Sequence, residues 1–201
     1  DGVDKLFGCT HKVIPDRIEA GTFLIAAAAT SSSITISPVI PNHLEAVTNK
    51  LQECGCKITI KGNSITIKGK EIKGVDIYTA PFPGFPTDLQ AQFMAMMCIA
   101  DGSSQISETI FENRFMHVPE LLRMGADIRV NGATAFIRGR KCLTPAPVMA
   151  TDLRASVSLV LAAMATPGLS KVSHIYHLER GYSDLETRLG NCGAQLRRVK
   201  G

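Results

Sequence analysis

Phe85-Pro86-Thr87-Asp88-Leu89-Gln90-Ala91-Gln92-Phe93 is the point where a proline-stiffened approach gives way to an almost wholly apolar segment. Thr87 and Gln90 have the Thr-x-x-Gln spacing of a capping box, in which each side chain satisfies a backbone N–H of the first helical turn. That spacing predicts a helix with Asp88 in its first turn, where the positive end of the helix dipole favours a carboxylate. The run Phe93-Met94-Ala95-Met96-Met97-Cys98-Ile99 has no polar face, so this helix is expected to be buried.

The same pattern recurs upstream and downstream. Asp16 precedes the apolar run Phe23–Ala29, and Asp152 precedes Val157–Ala165. After each apolar helix a short strand is expected, at Ser33–Ile36 and near Gln105-Ile106. Second helices are expected at about 42–53, up to Met124, and at about 183–191. They close at Gly55, Gly125 and Gly193, each with a leucine (Leu51, Leu121, Leu189) four residues before. A glycine just past a helix end is the usual C-terminal stop. Alternating segments then flank Gly62-Asn63 and Asn131-Gly132, which predicts two β-hairpins. The third copy has a strand at Leu196–Val199 and no second hairpin strand.

Three repeats therefore follow one another, at about 12–70, 76–139 and 147–201, after an entry segment at 1–11. Helices that are apolar all round belong inside, and alternating strands have one wet face. The expected fold is a pseudo-threefold α+β domain of βαβαββ-like repeats, with buried helices and outer sheets. The edge left by the missing last strand is expected to be filled by a segment from elsewhere.

Composition narrows the function. The chain has 201 residues, 45% hydrophobic and 20% charged, which excludes a disordered chain. The net charge of +4 suits a small anionic substrate, and no basic stripe interleaves with aromatics, so nucleic acid is not expected. No apolar run approaches the ~18 residues of a membrane span, and no signal peptide is read at Asp1-Gly2-Val3-Asp4-Lys5. The six cysteines form no Cys-x-x-Cys, and His174-x-x-His177 has no acidic companion at ligand spacing, so no metal is expected. Cys98, inside an apolar helix, reads as a core residue, and the compartment as a reducing one.

Three longer stretches carry a family resemblance. They are Thr79-Ala80-Pro81 with Phe85–Gln92, then Phe111-Glu112-Asn113-Arg114-Phe115-Met116-His117-Val118-Pro119-Glu120-Leu121, and Ala150–Ser156 followed by Ile175–Tyr182. Together they resemble the UDP-N-acetylglucosamine 1-carboxyvinyltransferase family of enolpyruvyl transferases. The resemblance implies a fold of two inside-out α/β barrels with the active site between them, of which this chain is similar to the C-terminal one. It implies that the N-terminal domain, absent from this chain, supplies a crossing segment, a loop cysteine acid and further phosphate-binding cations. It implies transfer of the enolpyruvyl group of phosphoenolpyruvate to the 3′-hydroxyl of UDP-N-acetylglucosamine, with loss of phosphate and no cofactor. The complete protein is expected to be a cytoplasmic monomer (plastidic in a plant), and this chain alone to bind weakly without turnover. The sibling shikimate 3-phosphate enolpyruvyl transferase and a non-catalytic module on the same fold are the alternatives.

The resemblance also assigns residues. Asp88 matches the carboxylate that binds the sugar and takes its 3′-hydroxyl proton, although an acid at a helix start is also explained by the dipole, as for Asp16 and Asp152. Arg154 and Arg180 match arginines facing phosphoenolpyruvate, and a guanidinium suits carboxylate and phosphate. Arg154 is otherwise a first-turn surface residue, and Arg180 a salt-bridging loop residue. Arg114 either lines the cleft or pairs with Glu112 or Glu120. Ile110 matches a position that contacts the sugar nucleotide through its backbone, and is otherwise a buried strand end. Arg17 matches a cleft arginine and is otherwise a helix-start surface residue, and Asp152 matches an acid that orients a lysine of the other domain.

Overall fold

The computed structural model describes residues 1–199; Lys200 and Gly201, at the end of the third predicted repeat, lie outside the described residues. Residues 1–16 carry no helix or strand. The first repeat then runs α1 (Arg17–Ala29), β1 (Ser33–Ile36), a 3₁₀ turn at Pro41–Leu44, α2 (Glu45–Glu53), β2 (Lys57–Lys61) and β3 (Ser64–Lys68). The second runs β4 (Ile77–Tyr78), a 3₁₀ turn at Thr87–Leu89, α3 (Gln90–Met97), β5 (Ser103–Ser107), α4 (Val118–Arg123), β6 (Asp127–Asn131) and β7 (Thr134–Arg138). The third runs β8 (Pro147–Met149), α5 (Ser156–Met164), β9 (Lys171–Ser173), α6 (Tyr176–Glu179) and α7 (Leu185–Asn191).

The three apolar helices α1, α3 and α5 pack against one another, because none has a face that water would stabilise. Every residue of α3 is buried. Removing a Leu, Ile or Met side chain from water contributes roughly 1.5–3 kcal/mol, and this central bundle collects many of them. The sheets lie outside, as expected: β3 turns Ile65 and Ile67 into the core and leaves Ser64 and Thr66 only partly covered.

The second helices end alike in all three repeats. The N–H groups of Cys56, Ala126 and Ala194 reach back to the carbonyls of Leu51, Leu121 and Leu189. The intervening Gly55, Gly125 and Gly193 have φ of 100°, 84° and 96°, the left-handed conformation this helix stop requires. Both hairpins form, but the second turn is displaced by one residue. Asn131 pairs with Thr134, so Gly132 (φ 57°) takes the first turn position, where glycine suits a type II′ geometry.

The predicted strand at Leu196–Val199 is not formed; residues 194–199 carry no helix or strand. The sheets give the reason. Their orders are β1-β3-β2 and β4-β5-β7-β6, so the second hairpin strand, β3 or β7, always sits between the first hairpin strand and the rest of the sheet. Among the described residues the third sheet holds only the parallel pair β8-β9. Without a central strand among the described residues, Leu196–Val199 has no ladder to join.

Candidate active site

Asp16 and Asp152 use their carboxylates on backbone. Asp16 accepts the N–H groups of Ile18 (2.7 Å) and Glu19 (3.2 Å) at the start of α1. Asp152 accepts those of Arg154 (2.7 Å) and Ala155 (2.6 Å) just before α5. Asp88 does neither. Its Oδ1 accepts Nη2 of Arg114 at 2.7 Å, and its Oδ2 lies 3.8 Å from Nε of Arg154. The expected capping box is also absent: Thr87 donates its hydroxyl to Glu108, and Gln90 is buried with no hydrogen bond on either side-chain atom. A 3₁₀ turn precedes α3, which carries Thr87 and Asp88 outside the helix proper. The backbone capping that occupies Asp16 and Asp152 therefore does not describe Asp88.

Two guanidinium groups face this one carboxylate, and all three side chains keep 21–35% exposure. The cluster carries a net positive charge and can take an anion. Arg114 pairs with neither Glu112 nor Glu120. Glu120 lies 3.5 Å from Arg123 and accepts the N–H of Met149, while Arg114 also lies over the Phe111 ring, 4.9 Å from its centroid. Arg154 is not a free surface residue: it lies 5.5 Å from the Tyr182 ring centroid and reaches the Gly181 carbonyl at 3.4 Å.

Beneath the cluster a buried polar hub joins all three repeats. Nε2 of Gln92 donates to the Asp88 carbonyl (2.8 Å) and lies 3.1 Å from the Tyr182 hydroxyl and 3.3 Å from Oγ1 of Thr22. Thr22 gives its own proton to the Ile18 carbonyl, so the Tyr182 hydroxyl donates to Thr22, 2.8 Å away. Burial pushes the Tyr182 phenol above its ordinary pKa. The hub fixes the turn bearing Asp88 against the loop that Arg154 touches.

The remaining sites divide. Arg180 is exposed and has no ion pair among the described residues; its neighbour Glu179 is the one paired, to Arg198. Ile110 is not a buried strand end. It is 37% exposed, and its N–H is taken by Glu108 at 2.9 Å, which leaves its carbonyl for a ligand. Arg17 lies 5.2 Å from the Phe82 ring centroid and shares no hydrogen bond with the cluster. Cys98 is a core residue, its thiol pushed up to about 12 by burial. A groove of about 800 Å³ between β1 and α7 is lined by none of Asp88, Arg114, Arg154 or Arg180; the cluster meets solvent elsewhere, through side chains that keep 21–35% exposure.

Sequence reasoning missed Glu108, Gln92, Thr22 and His117. A signal existed for Gln92 and Thr22, polar residues within helices of otherwise apolar composition. None existed for Glu108, whose neighbours Ser107 and Thr109 read as an ordinary strand end. His117 is wholly buried with no partner on either ring nitrogen among the described residues, and burial, then the charge of Arg114, lowers its pKa to about 3.

Comparison with known proteins bears on the family and the fold. The family model for EPSP synthase (3-phosphoshikimate 1-carboxyvinyltransferase) matches residues 1–189. A UDP-N-acetylglucosamine 1-carboxyvinyltransferase of Prochlorococcus marinus (strain MIT 9312) is 64% identical over 98% of the chain, and one of Synechococcus sp. (strain CC9605) is 57% identical over 98%. The chain spans only 43% and 46% of their lengths. Among solved structures, the enolpyruvyl transferase NikO from Streptomyces tendae superposes with a TM-score of 0.82 at 29% identity, over 92% of this chain and 44% of that one. The inside-out α/β arrangement of buried helices and outer sheets is thus shared with solved enolpyruvyl transferases, and the chain belongs to the EPSP synthase (3-phosphoshikimate 1-carboxyvinyltransferase) family.

Proposed function

We propose that this chain is one half of an enzyme that moves the enolpyruvyl group of phosphoenolpyruvate to the 3′-hydroxyl of UDP-N-acetylglucosamine, the first committed step of peptidoglycan synthesis. The observation that carries the reading is Asp88, whose carboxylate is held by Arg114 and Arg154 while its two counterparts cap backbone. The names of the relatives, 57–64% identical, support the acceptor.

The chemistry follows addition, then elimination. Asp88 takes the 3′-hydroxyl proton as that oxygen bonds to C2 of phosphoenolpyruvate, and C3 gains a proton from an acid of the other domain. Loss of the C3 proton and of phosphate then leaves the enol ether. Arg154 and Arg180 neutralise the carboxylate and phosphate, whose charge builds in the transition state. Arg114, Arg17 and the Ile110 carbonyl hold the sugar nucleotide, and Asp152, whose Oδ1 holds backbone, orients a lysine across the cleft through Oδ2. Residues 12–201 form the C-terminal domain, 1–11 cross from the N-terminal one, and a strand from that domain fills the third sheet. The complete protein works as a monomer in the cytoplasm. A part-exposed cluster on this chain fits a site that closes only against a second domain.

The test is reconstitution. The chain is combined with the N-terminal half of a relative, and phosphate release is followed with both substrates. Turnover that needs both halves and is lost in Asp88→Asn supports the reading; turnover by this chain alone, or full activity of Asp88→Asn, overturns it. The description of the matching family model favours one rival acceptor, shikimate 3-phosphate. Offering that acceptor in place of the sugar nucleotide decides between them.

A further inference from the structure

Glu108 follows β5 and is only 3% exposed. Its Oε1 accepts the Thr79 hydroxyl (2.9 Å) and the N–H groups of Ile110 (2.9 Å) and Phe111 (3.1 Å), and its Oε2 accepts the Thr87 hydroxyl (2.7 Å). No lysine or arginine pairs with it among the described residues. Four donors alone hold a buried carboxylate, an arrangement costly to build unless each bond is made.

What those donors belong to gives the group a purpose. Thr79 directly follows β4. Thr87 immediately precedes Asp88. Ile110 and Phe111 open the irregular loop that carries Arg114, in which Asn113 adopts a positive φ of 55°. Thr109 reinforces the joint by donating its N–H to the Thr79 hydroxyl oxygen at 2.8 Å. Glu108 is itself anchored, its N–H on the Ala133 carbonyl in the adjacent hairpin. Asp88 and Arg114 stand 26 residues apart in sequence, and one carboxylate bonds beside both.

We infer that Glu108 is a positioning residue that sets the geometry of the Asp88–Arg114 pair, and so aims the Asp88 carboxylate. Its consequence for turnover rests on the role of Asp88 proposed above; the geometric claim does not. The chemistry of the joint makes the variants unequal. In Glu108→Gln the amide oxygen keeps the three bonds of Oε1, and its NH₂ donates to the Thr87 hydroxyl, which accepts as well as it donates. Glu108→Ala removes all four bonds, taking the acceptor from the buried Thr79 hydroxyl, the part-buried Thr87 hydroxyl and two N–H groups.

The test is a double-mutant cycle on the 201-residue chain, needing no activity. Melting temperatures are measured for Asp88→Asn, Arg114→Gln and the pair, in wild-type, Glu108→Gln and Glu108→Ala backgrounds. In the first two backgrounds the double variant is expected to lose less than the sum of the singles, by about 1–2 °C. With Glu108→Ala the losses become additive. Should Glu108→Ala not fold, Thr87→Val, which cuts the one bond beside Asp88, replaces it, with Thr87→Ser restoring the coupling. Coupling unchanged in Glu108→Ala or Thr87→Val overturns the inference, whereas a merely structural Glu108 would lower every melting temperature and leave the coupling intact. Reconstituted turnover is read separately: failure of the wild-type chain there speaks against the proposed reaction and does not alter what the cycle measures at Glu108.

Discussion

The starts of α1 and α5 and the start of α3 come from one repeated sequence pattern and end in different chemistry. At the first two, an aspartate accepts two backbone N–H groups and the helix follows. At the third, a 3₁₀ turn intervenes, the aspartate pairs with arginines, and the neighbouring threonine bonds to a buried glutamate. A threefold fold offers three equivalent positions, and capping at two of them serves the fold. The one released from capping is free to face a ligand. Comparing repeats within one chain thus separates the aspartates that cap a helix start from the one whose carboxylate is given wholly to side chains.

The comparison is broken most severely through turnover. Asp88→Asn in the reconstituted two-half protein is expected to lower kcat by about 10²–10⁴-fold, the range for removing a general base. Asp16→Asn, which keeps a good cap, should leave kcat within about twofold. Steady-state phosphate release measures both. Equal losses would mean that the repeats do not differ in function.

The next effect is on stability and depends on acid. His117 is wholly buried beside the Arg114 loop, with its pKa lowered from 6.5 to about 3. Between those values the unfolded chain binds a proton that the folded chain does not, so unfolding becomes easier as pH falls. The stability present above about pH 6.5 is lost as pH drops towards about 3, on the order of a few kcal/mol. Denaturant unfolding of wild type and His117→Leu across that range measures it; the variant should have a flatter profile. An unchanged slope would mean that His117 finds a proton partner in the folded state.

The fold was largely legible, and the site only in part. Repeats, apolar helices and glycine stops are written locally, in periods of 3.6 and 2 and in single residues such as Gly55 and Gly125. The strand at Leu196–Val199 was misread because its alternation is local and its pairing is not. Strand formation there requires a central neighbour that the described residues do not contain. The capping box failed for a similar reason: Thr87 has a better acceptor 21 residues away. Arg114 was read against acids near it in sequence, while the acid it meets is 26 residues away. The Glu108 joint was invisible because its four donors lie on three separate segments.

A smaller effect tests the structural side of the comparison. Asp16→Ala and Asp152→Ala each remove a carboxylate that holds two backbone N–H groups, and each should cost about 1 kcal/mol. Asp88→Ala removes only part-exposed ion pairs, which contribute little in water, so its melting temperature should fall less than either. Thermal unfolding of the three alanine variants ranks them. If Asp88→Ala proved the most destabilising, its arginine contacts would be structural, and the contrast between helix starts would lose its meaning.

The finest effect asks what holds Arg114 in place. Its guanidinium meets the Asp88 carboxylate at 2.7 Å and also covers the Phe111 ring. Arg114→Lys keeps the charge but loses the planar group that does both, and is expected to cost about 0.5 kcal/mol or less. Salt separates the two contacts. At 1 M ionic strength the screening length falls to about 3 Å, so an ion-pair loss should shrink between 0.05 M and 1 M salt, whereas a stacking loss should not. The pair is 21–35% exposed, so screening should prevail and the melting-temperature gap between wild type and variant should narrow in salt. A gap that persists would assign the anchor to Phe111. The loop would then be set by stacking, and the Asp88 carboxylate would be held less by its arginine than the comparison with Asp16 and Asp152 requires.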